Sequence, residues 1–108
     1  MAPLRMPQHL AEPAHVDSGE ALLKFARMEE LDALRSCERE VKASLRALAD
    51  HDADGGPLAE RARLLDRAAD ATWRLIVQHE ACDCCDHHLL VERYRIPAEV
   101  MARIGSRH

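Results

Sequence analysis

The sequence predicts an all-α protein, a long antiparallel helical hairpin with a short C-terminal helix that dimerises into a four-helix bundle. Three observations predict it. Charged residues are 31% of the chain, both signs are interspersed, and alanine and leucine fill much of the remainder, which is the composition of long helices and bundles. Apolar residues recur at helical spacing over two long stretches. Glycine and proline cluster at a few points rather than along the chain, and those points divide the pattern into helices.

The elements follow in chain order. Residues 1–16 read as a flexible tail, because Pro3, Pro7 and Pro13 interrupt any helical period. From residue 17 to 108 one helical domain is expected, with helices over about 18–50, 57–93 and 97–104. Asp17 and Glu20 form a variant capping box, in which each side chain reaches a backbone amide of the other's turn. Leu23, Ala26, Leu34, Cys37, Val41, Leu45 and Leu48 then share one face of the first helix. Glu20 with Lys24, and Glu38 with Lys42, are favourable pairs four residues apart.

His51-Asp52-Ala53-Asp54-Gly55-Gly56 breaks the helix, and Pro57 suits the first turn of the next. The second stripe is Leu58, Leu65, Ala68, Ala69, Thr72, Leu75 and Ile76, continuing at Leu89 and Leu90. Pro97 opens the third helix and Gly105 closes it, with Val100, Met101 and Ile104 inward. With Asp50 and Pro57 flanking the turn, facing residues of the hairpin have numbers that add to about 107. Alanine buries little area and aromatics are 3%, so the core of one copy is thin. Phe25, Met28 and Leu31 lie off the main stripe of the first helix, and Trp73 and Val77 lie beside that of the second. A homodimer is therefore expected to cover them.

Several function classes are disfavoured. Arginines are scattered rather than clustered, against nucleic-acid binding. No run approaches the ~18 apolar residues a membrane span needs, and the N-terminus does not read as a secretory signal. Reduced thiols in a cytoplasmic protein are expected. No nucleophile–base set, phosphate loop or paired-carboxylate pocket emerges, so the chain does not read as an enzyme.

Trp73, Val77-Gln78, Glu80-Ala81-Cys82, Asp86, Tyr94 to Val100 and Arg103-Ile104-Gly105 resemble a family of small uncharacterised proteobacterial proteins, a domain of unknown function. The resemblance covers roughly the C-terminal third to half of the chain. It implies a helical fold and no assigned activity. In that family an arginine commonly stands at the place of His79, and Gly-Leu-Arg at the place of Asp83-Cys84-Cys85. Metal-ligand richness here is thus peculiar to this chain.

That richness lies in His79-Glu80-Ala81-Cys82-Asp83-Cys84-Cys85-Asp86-His87-His88. Zinc takes about four thiolate, imidazole or carboxylate donors in a tetrahedron. Read as one helix, the segment splits between two faces. His79, Asp83 and Asp86 continue the apolar stripe with Cys82 and His87 beside it, and Cys84, Cys85 and His88 point away. Glu30, opposite roughly Val77, would complete an inward set with His79, Asp83 and Cys82. Cys84, Cys85 and His88 form a second, outward set. The bland alternative is a buried Glu30–His79 pair with free cysteines packed as small hydrophobes. Asp50, Asp52, Asp54 and Gly55 also match the opening of an EF-hand calcium loop, but Arg61 stands where its bidentate glutamate belongs.

The expected function is thus that of a small cytoplasmic interaction or scaffold module, homodimeric, with a protein partner on its tail or on a groove of the bundle. A zinc-binding bundle and a calcium-binding helix–loop–helix are the alternatives.

Overall fold

The computed structural model describes residues 7–81 and 86–107, with side chains from residue 18 onward. It is all-α, with no strand among the described residues. Four helices follow one another: α1 (Pro7–Asp54), α2 (Leu58–Ala81), α3 (His87–Tyr94) and α4 (Ala98–Arg107). The chain divides into two compact units, Met1–Leu31 and Asp32–His108.

Four boundaries differ from expectation, the first being the end of α1, which runs through His51 to Asp54 instead of stopping near Asp50. The tail expected over 1–16 is helical from Pro7. Pro7 stands at the first position, where a missing amide costs no helical hydrogen bond, whereas Pro13 lies within the helix and forgoes one. The helix expected over 57–93 is two helices, α2 and α3, with Asp86 extended between them (φ −136°, ψ 105°). The third helix does not end at Gly105 but runs on to Arg107, and Gly105 keeps a negative φ.

In the second unit, Val41, Leu48, Leu65, Ala68, Ala69, Ala71, Leu75, Ile76, Leu90, Ile96, Val100 and Ile104 form one buried cluster. Leu34, Cys37, Leu45 and Met101 pack against it, half-buried. Most of the stripe expected on α2 is therefore inside. Leu58 and Leu89 are corrections, since they are 82% and 61% exposed. Each belongs to the first turn of its helix and lies outside the packed face. Alanines dominate the α2 seam, so helices approach closely while little apolar area is buried.

Antiparallel pairing within this unit has the expected register. Arg67 of α2 donates through Nε and Nη2 to the two carboxylate oxygens of Glu40 on α1, at 2.8 and 3.1 Å. The turn between them is a left-handed helix cap. Gly55 has φ +69° and donates its amide to the His51 carbonyl at 2.9 Å. Pro57 lies just ahead of α2, and its carbonyl accepts from Glu60 and Arg61 at 3.1 Å each. α3 ends in a Schellman arrangement with Arg95 in the left-handed region (φ 51°, ψ 51°). The Arg95 amide donates to the Glu92 carbonyl and that of Ile96 to the Val91 carbonyl. Ile96 is buried, which supplies the hydrophobic contact such caps favour.

α4 lies parallel to α2, locked by a ladder of ion pairs. Arg61 meets Glu99 at 2.8 Å, Arg103 meets Asp66 at 2.6 Å, and Arg107 meets Asp70 at 3.0 Å. Arg61 also donates to Asp52 on α1 at 2.7 and 3.2 Å, so one guanidinium joins three helices. The Glu38–Lys42 pair expected within α1 is replaced by tertiary contacts: Glu38 accepts from the Tyr94 hydroxyl, and Lys42 lies 5.9 Å from the Tyr94 ring centroid. Burial, then the Glu38 bond, pushes the Tyr94 hydroxyl up to about 12.

Hydrogen bonds from arginine hold the carboxyls of Glu40, Asp52, Asp66 and Glu99 below their usual range. Groups depressed in the folded state contribute stability that is present above the ordinary carboxylate range and is lost as pH falls through the folded values. The melting temperature should thus hold steady between about pH 7 and 5 and fall below about pH 4. These pairs are partly exposed, so the fall should shrink in high salt. Thermal melts followed by circular dichroism check this, and a melting temperature unchanged down to pH 3 counts against the ladder.

Candidate functional site

The cluster that stands out in the sequence falls at the α2–α3 junction. His79 lies in the last turn of α2 and is buried. Asp86 is the N-cap of α3, and its Oδ1 accepts from the amides of His88 at 3.0 Å and Leu89 at 3.3 Å. Asp86 therefore caps the start of α3 instead of continuing the helix of α2. His79, Asp86, Leu89, Leu90 and Arg93 line a small cavity of about 140 Å³. His87 Nε2 stands 3.8 Å from Glu80 Oε2, across the break between the helices.

The division into two faces assumes one continuous helix, and the helix break removes that premise. His79 and His88 stand on different helices, His79 buried and His88 exposed in the first turn of α3. Glu30 is exposed and belongs to the first unit. Cys82, Asp83, Cys84 and Cys85 lie outside the described residues. Among the described residues no three histidine, cysteine, aspartate or glutamate side chains gather closely enough to hold a metal ion.

The calcium-loop pattern does not form a loop. Asp50, Asp52 and Asp54 all belong to α1, whereas an EF-hand needs them in an open loop that wraps the ion. Asp52 is held by Arg61, the residue that stood in the glutamate's place. The helix persists because its C-terminal cap forms at Gly55, one residue past the acidic run.

The most conspicuous exposed feature is apolar. In the first unit Leu22, Leu23, Phe25, Met28 and Leu31 are between 46% and 70% exposed. Apart from Leu23 they follow one another at spacings of three, and each step turns back by about 60°, so the run winds half-way around the helix with Phe25 and Met28 side by side at its middle. Lys24, Arg27 and Glu29 border it. In the second unit Trp73 and Val77 form a smaller exposed pair, 36% and 44%, one turn apart on α2. Among the described residues no helix is long and apolar enough to cross a membrane.

No protein-family model, no curated protein and no solved structure matches this chain.

Proposed function

We propose that this protein is a homodimeric interaction module whose dimer contact is the exposed apolar row of α1. The observation that carries it is the run of five large apolar side chains between residues 22 and 31, all facing solvent. Isolated helices are marginal in water, and most helical stability comes from a packed apolar face. A helix segment with such a row needs a partner surface to stay helical. A second copy supplies one of the right chemistry. Antiparallel pairing about a two-fold axis between Ala26 and Arg27 sets Phe25 against Met28 of the second copy, in both halves at once. The same axis brings Lys24 level with Glu29 of the second copy, so both charge signs find complements along the border.

Sedimentation at micromolar concentration should give a dimer mass. Phe25→Glu combined with Met28→Glu should give a monomer with reduced helicity, because four like charges, two from each copy, would sit at the axis. Leu89→Glu, an equally exposed change on α3, should leave the dimer intact. A parent chain that sediments as a monomer at 100 µM, or a dimer indifferent to the double change, would sink this reading.

A further inference from the structure

A cleft of about 390 Å³ opens in the second unit between the end of α1, the start of α2 and the α3–α4 junction. Its volume falls within the range of small-molecule sites. Leu45, Leu48, Ala49 and Pro97 supply an apolar floor, and Arg46 and Arg95 stand on its rim. The acids that line it, Asp52 and Glu99, are both taken by Arg61. Arg46 and Arg95 have no carboxylate partner among the described residues.

Arg95 adds a second, independent sign. It holds the left-handed cap position of α3 (φ 51°), where glycine is the ordinary occupant and an L side chain is strained. Helix capping alone does not account for arginine there. What arginine adds over glycine is a guanidinium fork at the mouth of the cleft.

We propose that this cleft binds a small monocarboxylate with an apolar body, the carboxylate bridging Arg46 and Arg95 and the body lying on Leu45, Leu48 and Pro97. Guanidinium forks match carboxylate geometry and bind it through paired hydrogen bonds. Three arginines against two carboxylates leave the lining one net positive charge, which suits a monoanion over a phosphate dianion.

The test is a titration of the isotope-labelled full chain with 4-phenylbutyrate, followed by amide chemical shifts. Saturable shifts should appear at Ala49, Arg95 and Glu99. Binding of 4-phenylbutanol and of inorganic phosphate should be at least about tenfold weaker, since each lacks half of the recognition. Arg95→Gly should keep its melting temperature, because glycine adopts this backbone freely, and still lose at least about tenfold in affinity. Arg46→Gln, at an exposed site, should lose affinity by a similar factor. No saturable shift up to about 10 mM, or parental affinity in both variants, overturns the assignment. Phosphate binding as tightly as phenylbutyrate overturns the role of the apolar floor.

Discussion

Leu75→Ala should remove about 3 kcal/mol of stability and lower the melting temperature by roughly 15 °C. Leu75 is fully buried and, among the described residues, is the largest of the side chains that are completely enclosed. Around it the α2 seam is alanine at 68, 69 and 71, each no more than 2% exposed. Alanine has no side-chain length with which to fill a vacated space, and close-packed helices relax only partly. The loss therefore combines the transfer energy of the removed carbons with an unfilled cavity. A domain of this size has roughly 5–15 kcal/mol in total, so this one change takes a large share of it. Leu89→Ala is the control. It removes the same atoms from a side chain that is 61% exposed and should change stability by less than about 0.5 kcal/mol. Urea denaturation at fixed protein concentration reads both, since a dimer would make the midpoint concentration-dependent. Equal effects at the two positions would mean that the core is not centred on this face of α2.

The contrast between Leu75 and Leu89 also shows how far the sequence reaches. Periodicity identifies the inward face of α2 from Leu65 to Ile76 because about three helical turns share one phase. It does not carry the phase across Cys82-Asp83-Cys84-Cys85, where helix propensity is low. Asp86 is the signal for the new helix. It is an N-cap residue with Leu89 and Leu90 just beyond it, and reading it as one would have split the metal-like segment at the outset. The hairpin register was legible for a simpler reason. The glycine turn sets it, and the Glu40–Arg67 pair follows from the turn alone. The parallel ladder of α4 on α2 was not legible, because its pairs lie 37 or 38 residues apart and depend on how the α3–α4 cap redirects the chain. Arg61 shows the same limit. By its place in a motif it is the wrong residue for calcium, and only its three-dimensional neighbours reveal a junction of three helices.

The turn between α1 and α2 allows a second large effect to be separated into its causes. Gly56→Ala should cost about 2 kcal/mol. A β-carbon there would stand 2.6 Å from His51 Nε2 and 2.9 Å from its Cδ2, closer than real contacts allow. His51 is buried, and its Nε2 lies 3.1 Å from the Pro57 carbonyl. The ring can yield only by breaking that hydrogen bond and moving against packed neighbours. Gly55→Ala should also destabilise, by about 1–2 kcal/mol, but for a different reason. Nothing lies within 4 Å of its would-be β-carbon, and the cost comes from φ +69° alone. His51→Ala distinguishes the two. In that background the obstacle is gone, so Gly56→Ala should become nearly neutral, while Gly55→Ala should cost what it did before. The double-mutant cycle for His51 and Gly56 should therefore give a coupling of about 1–2 kcal/mol, and that for His51 and Gly55 about zero. If Gly56→Ala is as costly without the imidazole as with it, the ring is not what keeps residue 56 a glycine, and the backbone of the turn must be held by something else.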